Sequence, residues 1–258
     1  MKKKFIILSC LLLTGNILFA QQLVTGGSVE YTKRVNMFAV IKQQISTITA
    51  DVNPFLTQGF EQYKKTQPQF AELQSTLTFS NNKTLYTPLP PAPTIVNFQN
   101  NPMGMQPNTI YTDLAAGTFV NQKDVYGEVL LVKDSTRKIN WKITDETREI
   151  AGYTCRRANA LVLDSVYIVA FYTDKIRVNG GPESFTGLPG MILEVAIPHE
   201  NVTWFATKVN VQTVPVTTIV PPKKGKVTNN KELYKTIKSA LNDARGINGN
   251  YYLKSLML

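Results

Sequence analysis

Histidine and cysteine are scarce in this chain of 258 residues, which contains one histidine and two cysteines. This scarcity excludes most zinc sites, histidine-based catalytic triads and disulfide scaffolds, because each needs more of these residues than the chain has. Charged residues are also few, at 18 %, whereas hydrophobic residues make up 43 %. Many aromatic and β-branched residues are therefore available to bury, and the chain is long enough for a core without crosslinks.

The N-terminus has the layout of a secretory signal peptide. Three lysines at 2–4 precede an apolar stretch over 5–19, which Gly15 and Asn16 interrupt, and Ala20 offers a small residue at the cleavage point. The apolar stretch is shorter than the ~20 residues that span a bilayer. We therefore expect export to the periplasm or the outer membrane, cleavage after Ala20 and no membrane-spanning segment in the mature chain.

Cys10 provides a rival interpretation of the same N-terminus, because Ile7–Cys10 faintly resembles a lipobox. A lipoprotein cut there would begin with a very hydrophobic segment, which disfavours this alternative. After cleavage at Ala20, Cys155 is the only thiol, so that no intramolecular disulfide can form. We interpret Cys155 as a small buried apolar side chain; an intermolecular disulfide and a reactive thiol are the alternatives.

Three regions follow one another along the chain: the signal peptide at 1–20, a single β-rich domain over 21–220, and a basic linker with a C-terminal helix over 221–258. Apolar residues at helical spacing predict a helical segment over about 37–73. Short alternating stretches separated by turns then predict antiparallel strands. The expected fold is mainly β (α+β): one curved antiparallel sheet or partial barrel, on which the helical segment and the C-terminal helix pack.

The basic balance of the chain, with 28 Lys and Arg against 18 Asp and Glu, raises the question of an anionic partner. Export argues against nucleic acid. The lysines between 223 and 235 predict contact with anionic lipid or lipopolysaccharide through charge attraction. The alternative is an ordinary solvated surface.

The most distinctive stretch is Thr186-Gly187-Leu188-Pro189-Gly190-Met191-Ile192-Leu193-Glu194. Leu188 precedes a proline and must be extended. Pro189 and Gly190 suit the two central positions of a type II turn, in which Gly190 has a positive φ. Gly187 permits a close backbone approach, and a core strand follows. The stretch is therefore either a purely structural corner or a corner that contacts a ligand or partner.

Two other blocks stand out upstream. Trp141 lies in the segment 140–147, and we interpret it as a core anchor, with a stacking platform as the alternative. Gly152 and Tyr153 form a turn that leads into a strand, on which Tyr153 and Cys155 share a face. The aromatic stretch Phe171–Thr173 follows.

These blocks, in this order over residues 140–195, resemble the GLPGLI family, exported proteins of Bacteroidetes named for the motif. Met191 stands where the family name has leucine, and Phe171 stands where a tryptophan commonly opens the aromatic strand. The resemblance implies an envelope protein of a Gram-negative organism without an assigned enzymatic activity. Family members often occur alongside outer-membrane transporter systems.

No catalytic, cofactor or metal site emerges from the residues themselves. His199 is alone, and the adjacent Asp145 and Glu146 would point to opposite faces of a strand. We therefore expect a non-enzymatic binding or accessory protein of the envelope, without a cofactor, that has an envelope protein as partner and serves an outer-membrane transport system. The alternatives are a carrier of an apolar or lipidic ligand in a half-barrel cavity and an enzyme with a carboxylate-based site.

Overall fold

The computed structural model describes residues 24–46, 53–90, 107–242 and 249–258. The expected signal peptide at 1–20, including Cys10, lies outside the described residues. Export and the cleavage after Ala20 therefore stay predictions.

In the described residues, twelve strands form a single open, curved sheet. The strands are β1 Gly26–Asn36, β2 Phe70–Ser80, β3 Lys83–Pro88, β4 Thr109–Asp113, β5 Thr118–Val125, β6 Glu128–Ser135, β7 Lys142–Ile150, β8 Tyr153–Val162, β9 Val166–Thr173, β10 Met191–Ile197, β11 Val202–Val211 and β12 Lys226–Thr228. Their order is β12-β6-β5-β4-β3-β2-β1-β11-β10-β9-β8-β7. The predicted class, mainly β with one curved antiparallel sheet, is confirmed, although the short edge pair β12–β6 is parallel.

One face of this sheet is buried across its central strands, whereas the edge strands β7 and β12 are largely exposed. Residues directly opposite in an antiparallel pair lie on the same face, so the register extends the face of Tyr31 in β1 outwards. Ala206 in β11 and Ser75 in β2 are the residues opposite Tyr31, and they lie on the same face as Tyr31. We call this the covered face. Alternation of buried and more exposed residues along β1 and β2 follows from it.

Within the described ranges, four α-helices accompany the sheet: α1 Met37–Ser46, α2 Asn53–Thr66, α3 Asn230–Asn242 and α4 Gly249–Met257. Asn36 caps α1, since its Oδ1 accepts a hydrogen bond from the Ala39 amide at 3.2 Å. Asn229 caps α3 in the same way, through the Glu232 amide at 2.9 Å. Among the described residues, no helix has the length and apolar character needed to cross a membrane.

The predicted helical segment over 37–73 is wrong at its C-terminal end. Helix α2 stops at Thr66, and residues 70–80 form β2. The whole of β2 pairs with β1, from Phe70 opposite Asn36 to Ser80 opposite Gly26. Eleven pairs in an unbroken register outweigh a weak local helical pattern. The predicted single C-terminal helix is likewise two helices, α3 and α4.

The covered face is filled by three groups of side chains. Met37, Val40 and Ile41 of α1 pack with the alanines of β8 and the apolar residues of β9 to β11. At the other end, Leu233 and Ile237 of α3 and Leu256 of α4 pack on β5 and β6. Between these ends lies the connection 174–190, here called the covering segment. It follows β9 and crosses to β3, where a Cβ on Gly180 would lie 2.9 Å from Thr84 Cγ2.

The end of α4 is held by three donors from other parts of the chain. Lys123 Nζ donates to the Leu256 carbonyl at 2.6 Å, and Arg137 Nη2 donates to the Met257 carbonyl at 2.5 Å. Ser184 Oγ donates to the Leu258 backbone oxygen at 2.9 Å. Cations suit this position because the carbonyl groups at a helix C-terminus lack helical partners and carry partial negative charge.

Cys155 is 0 % exposed and belongs to the same apolar cluster as Tyr31. Phe171 and Ile150 pack in the same cluster, and the Arg148 guanidinium covers the Phe171 ring at 4.0 Å from its centroid. Burial raises the pKa of the Cys155 thiol to about 12, and the nearby carboxylates Glu149 and Glu194 raise it further. The thiolate, which is the reactive form, is thereby suppressed.

We predict that Cys155 reacts slowly with thiol reagents in the folded protein and rapidly after denaturation. The measurement is stopped-flow labelling of a chain without residues 1–20. The matched control is the double variant Cys155→Ala/Thr154→Cys, which moves the thiol to the exposed neighbouring position and should label quickly in both states. Equal rates for the folded wild type and this control would contradict the burial argument.

Candidate functional site

The corner at Pro189 is tighter than the sequence predicts. The Gly190 amide donates to the Leu188 carbonyl at 2.8 Å, which is the pattern of a γ-turn around Pro189. A type II turn would instead use the Met191 amide, but that amide donates to the Ile176 carbonyl at 3.1 Å. The type II prediction is wrong because the covering segment competes successfully for this donor.

Gly190 nevertheless has a positive φ, of 151°. A Cβ at this position would collide with the Thr173 carbonyl oxygen and lie 2.8 Å from the Thr173 carbonyl carbon. The glycine therefore allows the start of β10 to approach the end of β9 closely. Gly187 also has a positive φ, of 94°, but its nearest neighbour, Trp141 Nε1, would be 3.7 Å from a Cβ.

Most side chains of the motif are internal. Leu188 and Ile192 are buried with Phe185 and Trp204 on the covered face, and Met191 belongs to the cluster that contains Cys155. Only Gly187 and Pro189 are exposed. Most residues of the motif therefore form the corner and pack in the core. The part of the motif that a ligand could contact is its N-terminal end.

Trp141 reaches this N-terminal end. Its indole Nε1 donates to the Thr186 carbonyl at 2.9 Å, and its ring packs against the apolar cluster of the covered face. The tryptophan block and the motif, which are 45 residues apart, therefore meet. This packing is what the core-anchor interpretation expects.

Gly152, Tyr153 and Cys155 are not brought to this place. Ala151 and Gly152 have φ values of 49° and 82°, and they form the two-residue turn between Ile150 and Tyr153, which are paired. Positive φ at both positions is typical of a type I′ hairpin turn. This block therefore serves the β7–β8 hairpin.

An open cavity of about 430 Å³ adjoins Gly187. We call it the motif pocket. Four connections contribute to it: the β2–β3 turn, the end of β4, the β6–β7 connection and the covering segment. Its lining residues are Asn82, Leu114, Thr136, Arg137, Lys138, Ile139, Arg177, Asn179, Thr186 and Gly187.

The lining of the motif pocket contains three cationic side chains, from Arg137, Lys138 and Arg177, and no Asp or Glu. Lys138 and Arg177 are exposed, and neither takes part in an ion pair with any described residue. Arg137 is fixed by its bond to the Met257 carbonyl, whereas its Nη1 is buried without a partner in the described part of the chain. Burial lowers the pKa of Arg137, but an arginine stays protonated in proteins.

These three cations were missed at the level of sequence. Arg137 and Lys138 are adjacent and Arg177 stands alone, none of them lies in a recognised motif, and the strand order brings Arg177 to the other two. Arg177 and Asn179 offered one signal: both lie a short distance before the motif, in the segment that leads to it.

A second polar feature, also missed, lies under the covering segment. Lys33, Lys123 and Glu183 are buried, with 5 %, 3 % and 8 % of their surface exposed. Glu183 has a φ of 51°, and its Oε2 accepts a hydrogen bond from Asn108 Nδ2 at 2.8 Å. Lys33 Nζ lies 4.8 Å from the centroid of the Trp204 indole. The signal in the sequence was Lys33 itself, which shares the apolar face of Val29, Tyr31 and Val35.

The single carboxylate of this buried cluster offsets only part of the cost of burying its two lysine ammonium groups. Burial lowers the pKa of Lys33 to about 8, and attraction to Glu183 opposes the shift. Burial lowers the pKa of Lys123 to about 8 as well. Burial raises the pKa of Glu183, while Lys33 and the hydrogen bond from Asn108 lower it. The cluster thus fixes Glu183, and the covering segment with it, at some cost in desolvation.

Comparison with known proteins points to one family. A sequence profile described as "N-glycanase peptide, N-terminal domain" matches residues 70–234, from the first residue of β2 into α3. No curated protein matches the sequence.

Two solved structures of PNGF-II are similar in fold. The one in space group C2 has a TM-score of 0.51 and 15 % identity, and the match covers 82 % of this chain. The one in space group P21 has a TM-score of 0.49, 16 % identity and the same coverage. The chain spans only 32 % of the PNGF-II chain in either case.

We predict that Gly190→Ala lowers the melting temperature more than Gly187→Ala does. Both replacements force a non-glycine residue to a positive φ, which costs on the order of 1–3 kcal/mol, and each kcal/mol is equivalent to roughly 2–4 °C here. Only Gly190→Ala adds a collision with the Thr173 backbone. Calorimetry tests the order, with the exposed Pro189→Ala as the mild control. An unchanged melting curve for Gly190→Ala would reject the corner and favour a pure contact role.

We also predict that the wild type gains stability relative to Lys33→Met as the pH rises from about 8 towards 10.5. The folded chain releases the Lys33 proton near pH 8, whereas the unfolded chain holds it to its ordinary pKa of 10.5. Because the unfolded state binds more protons in this window, the free energy of unfolding increases with pH. Urea unfolding at pH 7.5 and 9.5 measures the difference.

Lys65→Met, at an exposed position of α2, is the control and should follow the wild type at both pH values. Parallel changes in the wild type and Lys33→Met would show that Lys33 is not buried as a charge.

Proposed function

This chain belongs to the N-glycanase peptide, N-terminal domain family, and we propose that it is a non-enzymatic binding or accessory protein of the cell envelope. Its binding site in this proposal is the motif pocket. The location in the cell envelope follows from the expected export and from the resemblance to GLPGLI proteins. In this proposal the protein serves an outer-membrane transport system and has an envelope protein as its partner.

The observation that carries the proposal is the composition of the motif pocket. It is open, it has the volume of a small-ligand site, and it presents three cations without a carboxylate among its lining residues. Two of these cations have no ion pair within the described residues. Cations held together in this way repel one another, and an anionic ligand would relieve the repulsion.

Family membership supports a binding role more than a catalytic one. The family profile is of an N-terminal domain, and the PNGF-II structures extend over a chain of which this one covers 32 %. In this proposal the domain holds a ligand or partner close to where it is needed and carries out no reaction on it.

The two alternatives have weaker support. A second cavity, between α4 and the β5–β6 pair, has a volume of only about 30 Å³, which is too small for a lipid chain, and the motif pocket is largely polar. For an enzyme, Glu183 is the candidate carboxylate because burial raises its pKa. However, Glu183 is a buried residue of the covering segment itself, and its carboxylate accepts a hydrogen bond from Asn108.

The basic tail remains a proposed contact for anionic lipid or lipopolysaccharide. Leu233 and Ile237 of α3 are buried against the sheet, whereas Lys231, Lys235 and Lys238 are exposed. The apolar side of α3 is thus occupied by the protein itself, and its lysine side is available to an anionic surface.

A photo-crosslinking residue at Asn179, on the rim of the motif pocket, tests the binding role in intact envelopes. We expect a discrete crosslinked product that disappears in Arg177→Glu, because the anionic ligand or partner loses its counter-charge. The same residue placed at the exposed Tyr126, in the β5–β6 turn, is the control and should give no such product. A product that is insensitive to Arg177→Glu would contradict the assignment of the pocket.

Catalysis is tested separately by incubating the chain with an N-glycosylated peptide and measuring glycan release by mass spectrometry. We expect no release. Release that is lost in Glu183→Gln, in a variant that keeps the wild-type melting temperature, would overturn the non-enzymatic proposal.

A further inference from the structure

We infer that the motif pocket binds the phosphate group of a phosphorylated sugar. This inference rests on the proposed function, which makes the pocket a binding site, and it specifies the chemistry of the ligand. It depends on three properties of the pocket: its net charge, the position of Arg137 and the polar groups around the cations.

The net charge of the lining distinguishes a phosphate from a carboxylate. Arg137, Lys138 and Arg177 give the pocket a charge of three, with no carboxylate in the lining to offset it. A single carboxylate would leave two of these charges uncompensated. A phosphate monoester carries −1.5 to −2 at neutral pH and offers three acceptor oxygens, so that it matches the cations more closely.

Arg137 is the fixed element of the site. Its Nη2 is bound to the Met257 carbonyl, which orients the guanidinium plane, and its Nη1 is buried and without a partner in the described part of the chain. A buried donor without an acceptor is costly and is rare in native proteins. Arg137 is also a lining residue of the pocket, and a phosphate bound beside its guanidinium would offer this donor a charge-assisted hydrogen bond, the strong kind.

Arg177 and Lys138 would close on the phosphate from the solvent side. Both are exposed and without ion pairs among the described residues, so they lose no existing partner on binding. Arg177 can offer two parallel N–H groups to phosphate oxygens, whereas Lys138 acts as a point charge.

The remainder of the pocket suits a sugar. Its volume of about 430 Å³ is far larger than a phosphate group needs, and Asn82, Asn179 and Thr186 add amide and hydroxyl groups to the lining. Such groups donate and accept hydrogen bonds, as sugar hydroxyls require. The apolar side chains of Leu114 and Ile139 provide a surface for the carbon-bearing side of a ring.

Calorimetric titration of the mature chain tests the inference with four probes: glucose 6-phosphate, glucose, glucuronate and inorganic phosphate. We expect glucose 6-phosphate to bind most tightly. Glucuronate carries only one negative charge, inorganic phosphate lacks the sugar, and glucose lacks the anion. Binding of glucose 6-phosphate should weaken from pH 7.5 to pH 5, because the phosphate becomes a monoanion below its second pKa of about 6.

The test variant is Lys138→Ala/Arg177→Ala, which removes two exposed cations and leaves the Arg137–Met257 bond in place. We expect the affinity for glucose 6-phosphate to fall by at least about tenfold, since a charged hydrogen bond contributes more than that on average. The matched control is Arg156→Ala/Lys65→Ala, which makes the same change of charge at exposed positions outside the pocket. It should keep the wild-type affinity.

The same phosphate could be a soluble sugar phosphate or the head group of a phosphorylated glycolipid. Flotation with vesicles that contain a phosphorylated glycolipid, against vesicles with its dephosphorylated form, separates these sources. If the glycolipid is the source, the pocket variant loses the phosphate-dependent part of vesicle binding. A variant with glutamine at Lys231, Lys235 and Lys238 loses only the part that both kinds of vesicle share.

Three results would overturn the inference: glucuronate binding as tightly as glucose 6-phosphate, inorganic phosphate binding as tightly as glucose 6-phosphate, or equal weakening by the pocket variant and its control. If these results occur while the Arg177-dependent crosslink from position 179 persists, the phosphate assignment fails and the proposed function stands. If no crosslink forms from position 179 in the chain that keeps Arg177, the proposed function itself is contradicted.

Discussion

The buried cluster of Lys33, Lys123 and Glu183 is the constraint on which the covered face depends. A carboxylate and two ammonium groups in an apolar layer are tolerable only close to one another, so Glu183 can occupy one place over β1 and β5. This restricts the covering segment from Ile176 to Gly190. The same segment carries Arg177, Asn179 and Thr186 into the motif pocket. A buried charge cluster thus determines where an exposed pocket forms.

Much of the fold could be predicted because it follows from local patterns. Short alternating stretches separated by turns predicted the mainly β class with one curved sheet. The failures occurred where a distant partner decided the outcome. Residues 67–73 show a weak helical pattern, yet β1 offers Phe70 and its neighbours a complete ladder. At Pro189 the local turn was altered by Ile176, whose carbonyl captures the Met191 amide.

The candidate site could be predicted only in part, for a physical reason. Trp141 and Gly187 belong to recognisable blocks, and the structure brings them together through the indole bond to Thr186. The cations arrive from the same two connections, the β6–β7 connection and the covering segment, and these connections meet only because of the strand order. No spacing rule relates Arg137 to Arg177, since the 39 residues between them include three strands.

The glycines and the cations of the site therefore have separate tasks. Gly190 permits the approach of β10 to the Thr173 backbone, and this approach fixes the direction in which the motif leaves the sheet. Gly187, Trp141 and Thr186 fix the wall of the pocket but bring no charge to it. Arg137, Lys138 and Arg177 bring the charge, and two of them are free of structural bonds within the described residues. A chain that keeps the corner and exchanges these cations would retain its fold and select a different ligand.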